Sequence, residues 1–199
     1  MKKIFVIEHL EPKLWPWCLI EYKNISRIVG KNNLLFTNIK KQNIKKLKNY
    51  GEVISKSVKN LSLDNACVLD PEVNKTLSPK EAKKFSYFIF GGILGDNPPR
   101  KRTKKELTKY IGNFEKPNKL KNAEIRNLGK EQLSTDSAVY VVKKIIKGKK
   151  LANIKFQDSI EIKINSIESV ILPYRYPLIN GKPNIPKELI KYLKKHPLV

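Results

Sequence analysis

Residues 85–103 read FSYFIFGGILGDNPPRKRT, and no other run in the chain constrains the fold as much. An apolar, aromatic stretch over residues 85–90 stops at Gly91-Gly92. Gly95-Asp96, Pro98-Pro99 and the basic cluster Arg100-Lys101-Arg102 follow. A buried strand closed by a glycine turn places bare backbone at the carboxyl edge of a sheet, where open α/β proteins bind ligands. Glycine lets main-chain groups come close to a ligand with no Cβ in the way, and the prolines stiffen the exit. A plain turn between strand and helix is the alternative that any Gly-Gly pair leaves open. The length of this stretch, and a second glycine-bearing loop further on, argue for a ligand site.

The rest of the chain supplies the sheet around it. Residues 4–7, 34–37, 53–58, 66–69, 86–90 and 125–128 read as short strands. Helices are predicted over 13–29 with Pro16 in the first turn, over 42–49, and from about residue 135 to Gly148. Ser78-Pro79-Lys80-Glu81 carries the capping-box signature of a helix start. Residues 104–111 read as the beginning of a helix and 112–122 as a mobile loop. Ser134 or Thr135 is expected to cap the 135–148 helix, with Asp136 complementing its dipole and Lys143, Lys144 and Lys147 on its exposed face. Strands alternating with helices give an α/β fold, a mostly parallel sheet with helices on both faces. After residue 152 the pattern changes: residues 159–164 and part of 169–176 alternate, and Asn180-Gly181 signals a hairpin. The expected division is a main domain over 1–152 and a small antiparallel appendage with a terminal helix over 153–199.

Charge points to the partner. Forty-one Lys and Arg against 18 Asp and Glu give +23. A high-temperature or Lys-biased composition is the bland explanation, but it raises Glu along with Lys, which is not seen here. The excess favours a polyanionic partner, RNA or a ribosome. No apolar stretch reaches the length of a membrane span. The short N-terminal apolar run, broken by Glu8 and His9, reads as a first strand rather than a signal peptide, so a cytoplasmic protein without a membrane partner is expected. Cys18 and Cys67 lack metal-ligand spacing and read as buried thiols; no metal is expected.

Two loops carry the candidate chemistry, residues 91–99 and 128–136. Apolar side chains and free backbone at the glycines suit an adenosine moiety. The chain has no GxxxxGK[ST] loop, and GGILGD has neither the spacing nor the position of a dinucleotide-binding loop. His9 and His196 sit in no nucleophile-elbow context.

Four blocks, VIEHLEPKLWPWCLIEY, LDPEVNKTLSP, FIFGGILGDNPPRKRT and NLGKEQLSTDSAV, resemble in order the segments of one branch of the SPOUT methyltransferases. That branch contains archaeal RNA-methyltransferase-type proteins and a fungal enzyme that methylates an arginine of a ribosomal protein. The resemblance implies a doubly wound fold with a C-terminal trefoil knot and S-adenosylmethionine bound in the knot loops, S-adenosylhomocysteine being the product. It implies Phe90, Gly91, Gly92, Gly95 and Asp96 as one wall of the cofactor site, and Leu128, Gly129, Gln132, Leu133, Ser134 and Asp136 as the other. Gly92→Val is then expected to block the slot in a chain that still folds. For an arginine acceptor, Glu8, Asp96 and Glu131 are the acids expected near the reacting nitrogen. For an RNA acceptor, Arg100, Arg102 and Arg126 are the expected clamps, with Arg100 also a candidate at the catalytic centre. Each of these has a plainer reading: Asp136 as a helix cap, Arg100 as a solvated charge. RNA or a ribosomal protein remain open as acceptors, a monomer or a homodimer as the active form, and a non-catalytic RNA-binding protein on the same fold as the alternative.

Overall fold

The computed structural model describes residues 2–95, 98–111, 120 and 122–196. Six strands form one sheet: β1 (Ile4–His9), β2 (Leu34–Thr37), β3 (Glu52–Val53), β4 (Ala66–Leu69), β5 (Tyr87–Gly92) and β6 (Glu124–Arg126). They lie in the order β3-β2-β1-β5-β4-β6, and every pair is parallel. β1, β2 and β4 are apolar because both faces of a parallel sheet are covered. Phe5, Ile7, Phe36, Phe88 and Phe90 face one core, together with Cys18, Tyr22 and Ile25 of α1 (Pro16–Val29) and Val141, Val142 and Ile145 of α5 (Thr135–Ile146). Val6, Val68 and Ile89 face the other, against Val58 and Leu107. Burying each such side chain contributes about 1.5–3 kcal/mol.

Local signals decide where elements begin and end. Pro16 opens α1, α2 (Ile44–Leu47) forms within the helix predicted over 42–49, and α3 (Pro79–Ala82) begins with the capping box, Ser78 and Glu81 bonding reciprocally. Three expectations change. The strand over 53–58 shrinks to the two-residue edge strand β3, because Val58 turns inward at the start of a 3-10 turn. The helix expected at 104–111 is α4 (Arg102–Glu106) followed by a 3-10 turn. Lys143 does not stand on an open helix face: its ammonium is turned onto the Ile28 carbonyl of α1. The loop expected over 112–122 lies, apart from Leu120 and Asn122, outside the described residues.

The C-terminal segment pairs β7 (Phe156–Lys163), β8 (Ser169–Ile179) and β9 (Lys182–Pro183) antiparallel. Asn180 and Gly181 at the turn both have positive φ, 50° and 76°, as a type I′ hairpin requires. With α6 (Lys187–Lys195) this segment forms a third core, into which Trp17 of α1 inserts beside Leu172, Tyr176 and Leu193. The sheet order and appendage accord with the SPOUT architecture.

No helix among the described residues is long and apolar enough to cross a membrane. Both cysteines are buried, and burial, the largest cause, pushes each thiol up to about 12, so both are inert.

Candidate active site

A cleft of about 160 Å3 opens at the carboxyl edge of β4, β5 and β6. Three loops build it. The loop after β4 contributes Asp70, Pro71 and Glu72. The end of β5 and the loop after it contribute Phe90, Gly91, Ile93, Gly95 and residues 99–101, and α4 adds Arg102 and Thr103. The loop after β6 contributes residues 128–133, and Thr135 and Ala138 follow from α5. A wider groove lies at the opposite end of the sheet, lined by Lys2, Lys31, Glu52 and Asp64 among others. It has the strands' amino ends, whereas parallel sheets present their ligand sites at the carboxyl ends.

The two expected glycine loops do meet. Gly95 comes so close to its neighbours that a Cβ would collide with the Tyr174 ring and stand 2.8 Å from Gln132 Nε2. Gly129 has φ +95°, a conformation an L side chain resists. Both loops are held from outside by β8. The Tyr174 hydroxyl donates to the Gly95 carbonyl at 3.0 Å, and the Arg175 N–H donates to the Gln132 carbonyl at 2.8 Å. The appendage therefore ties the two walls to each other.

Eight of the residues expected at the site line the cleft: Phe90, Gly91, Gly95, Leu128, Gly129, Gln132, Leu133 and Glu131. Arg100 and Arg102 line it as well. Asp96 lies outside the described residues. The others are elsewhere, each for a physical reason. Gly92 faces α1: a Cβ there would collide with the Tyr22 hydroxyl, which bonds His9 Nδ1 at 2.8 Å. Its missing side chain makes room for that buried pair, so a valine would disrupt the core before it blocked any slot.

Ser134 and Asp136 point into α1 and α5. Asp136 Oδ2 accepts from Asn24 at 2.8 Å, and Oδ1 accepts from Ser134 Oγ at 2.7 Å and from the Ser137 N–H at 2.8 Å. Ser134 stands at the N-cap position, but its hydroxyl does not cap. Close by, Glu21 accepts from Trp17 Nε1 at 2.9 Å and from Thr135. Burial pushes both carboxyls up, and the Asp136 charge pushes Glu21 further. Asp136 has more donors and sits at the α5 N-terminus, so it keeps the charge and Glu21 takes the proton.

Glu8 is fully buried on the face away from the cleft. Its carboxylate accepts from Thr37 Oγ1 and Ser57 Oγ, each at 2.5 Å, and from the Val58 N–H at 2.9 Å. Its expected catalytic part falls away, because all three donors hold it in the scaffold. Arg126 is buried under the sheet edge. It bonds Glu81 Oε1 at 3.0 and 3.1 Å, pairs with Glu124 and covers the Phe85 ring. Burial pushes the Glu81 carboxyl up, but bonds from Ser78, Arg126 and Lys75 outweigh it and hold the group at about 2. Arg126 is thus no RNA clamp. Arg102 reaches the cleft but spends its guanidinium on Glu11 (2.5 Å), the Leu10 carbonyl (2.9 Å) and Glu106 (2.7 Å).

Two acids escaped the sequence reading. Glu11 accepts the Leu94 N–H at 3.0 Å and joins Arg102, fastening the loop after β1 to the glycine loop. Glu72 pairs with Lys101 at 2.8 Å across the cleft rim. Asp70-Pro71, ending a strand next to β5, was the available signal for this third loop. Among the described residues, no group of His, Cys, Asp and Glu could hold a metal ion.

A parallel sheet in this order, with paired loops walling a cleft at its carboxyl edge, puts the chain in the SPOUT class. It shares that fold with a Trm10 protein of Thermococcus kodakaraensis, TM-score 0.57 and 16% identity over 75% of this chain and 95% of that one. The likeness to Saccharomyces cerevisiae protein arginine N-methyltransferase SFM1 is far stronger: 36% identity over 96% of this chain and 94% of that protein. The crystal structure of yeast SFM1 with SAM superposes with TM-score 0.84, covering 98% of this chain and 91% of that one. The structure with SAH gives 0.83, covering 96% and 94%. Residues 4–197 match the family described as Protein arginine N-methyltransferase SFM1-like, and the chain belongs to that family.

Proposed function

We propose that this chain transfers a methyl group from S-adenosylmethionine to a guanidino nitrogen of an arginine side chain in a protein. The observation that carries this reading is the cleft itself: two glycine loops at one sheet edge, in a chain matched along its length to the SFM1-like family. The lining suits the cofactor. Ile93, Leu128, Leu133 and Ala138 are apolar walls for a purine, and the backbone at Gly91, Gly95 and Gly129 is open to its polar edge. Phe90, Gln132 and the loop containing Asp96 complete that assignment.

When bound, the cofactor supplies an electrophilic sulfonium methyl. The chain must hold an acceptor nitrogen in line with it, about 3–3.5 Å away, keep water out, and take the proton the nitrogen gives up. Two acids of the cleft, Glu72 and Glu131, can hold a guanidinium, and Glu131 stands exposed on the loop after β6 to receive that proton. Arg100, on the opposite loop, is assigned to substrate contact.

The net charge of +23 supports a ribosomal protein as the acceptor, met in the cytoplasm within a ribonucleoprotein. The same charge is the one observation that favours RNA instead. Labelled cofactor incubated with ribosomes, followed by RNase or protease digestion, separates the two: label that survives RNase and is released as methylarginine supports the proposal, and label lost to RNase overturns it. Calorimetry with S-adenosylmethionine tests the cofactor directly; absence of heat at saturating concentration would leave only an RNA-binding role.

A further inference from the structure

Across the rim of the cleft, Lys101 Nζ stands 2.8 Å from Glu72 Oε2. The two sides of this contact are unlike. Glu72 sits on a fixed platform: its N–H donates to Asp70 Oδ1 at 2.9 Å, and the other Asp70 oxygen accepts from Thr108. Its side chain is 23% exposed, while that of Lys101 is 59% exposed on a long flexible stem. Lys101 also has φ 56° and ψ 37°, a left-handed conformation that is uncommon for a residue with a side chain. A sheltered carboxylate on an anchored backbone is therefore matched with a more exposed cation on a less favoured one.

Such an exposed pair adds little stability. A guanidinium offers the same carboxylate two parallel N–H donors, where an ammonium gives a single point contact. We infer that Glu72 is the carboxylate that receives the acceptor arginine, and that Lys101 occupies its place as an internal cation until the arginine displaces it. This rests on the arginine reading above and adds a specificity-determining pair to it. Lys101 competes with the acceptor and does not contact the cofactor. A weak cation entering the cleft leaves it in place, whereas a bidentate guanidinium does not.

The test uses the full chain saturated with S-adenosylhomocysteine. It is titrated with the peptide acetyl-Ala-Gly-Arg-Gly-Ala-amide, and with the same peptide carrying Lys, and the Kd values are read by NMR. Lys101→Ala is expected to tighten the Arg peptide about three- to fivefold, and Glu72→Gln to weaken it tenfold or more. In the double variant the gain from Lys101→Ala disappears. The Kd for S-adenosylhomocysteine stays within twofold throughout. If the unaltered chain does not prefer the Arg peptide, the arginine reading fails and takes this inference with it. If it does prefer it, but Glu72→Gln leaves the Kd unchanged or Lys101→Ala weakens either ligand tenfold, the inference alone is overturned.

Discussion

The Tyr174 hydroxyl is hydrogen-bonded to the Gly95 carbonyl at 3.0 Å, joining residues 79 positions apart and making β8 part of the wall around the cleft. The neighbouring Arg175–Gln132 bond does the same for the other loop. Tyr174→Phe removes one hydrogen bond worth about 1 kcal/mol, so cofactor Kd is expected to rise about fivefold. Gly95→Ala pushes a methyl into the Tyr174 ring and is expected to cost more, tenfold or above, with little change in Tm. Calorimetry on both variants checks the order.

Gly92 calls for the opposite outcome. Gly92→Ala collides with the Tyr22 hydroxyl, and overpacking of this kind typically costs about 1–3 kcal/mol. Thermal denaturation is expected to show the loss, and Tyr22→Phe, which removes the obstructing oxygen, to restore part of it. A strictly additive double variant would contradict the contact.

Glu8 is predicted to matter for folding. Glu8→Ala removes the bonds from Thr37 and Ser57 and leaves the buried Val58 N–H without its partner, at about 1–3 kcal/mol for that stranded donor. The expected result is a chain that denatures at markedly lower urea concentration. Its cofactor affinity, measured below the transition, should be near that of the parent.

The Glu21–Asp136 pair sets a pH dependence. Their raised carboxyl pKa values mean that the native state keeps a proton the unfolded chain has lost, so their contribution is fully present at low pH. It fades as pH rises from the ordinary carboxylate range through the raised native values. Tyr176, whose buried hydroxyl burial and both carboxylates push upward, faces the same cluster. Glu21→Gln keeps an oxygen for Trp17 Nε1 and removes the titration. The expected outcome is a flatter stability profile and a higher Tm at pH 8, by about 2–4 °C for each kcal/mol recovered. Burial lowers the His9 pKa, which works the other way: that stability is present above pH 6.5 and lost as pH falls through the lowered native value.

Much of this was legible in the sequence wherever a local rule had no competitor. β4 was bounded by Asp70-Pro71, α3 by its capping box and the hairpin by Asn180-Gly181, and the two glycine loops pointed to the cleft. Failures came where direction mattered more than position. Strand alternation puts Phe5, Ile7 and His9 on one face and Val6 and Glu8 on the other. Glu8 therefore turns from the cleft, yet nothing local tells a buried acid with three donors from a reactive one. At the start of α5, Ala138 faces the cleft, while Asp136 bonds Asn24 of α1 and Thr135 bonds Glu21 there. That choice is fixed by a helix more than a hundred residues earlier. Arg126 is turned from the cleft for the same reason, since Glu81, its partner, lies 45 positions away.

The strand that fastens both loops is made late. Residues 91–99 and 128–133 leave the ribosome well before Tyr174 and Arg175, so a nascent chain carries both walls of its site before it can lock them. Cofactor affinity should therefore be gained late in synthesis, when β8 docks, rather than accumulate with length. A chain arrested short of β8 would hold the whole parallel sheet and still lack a finished site.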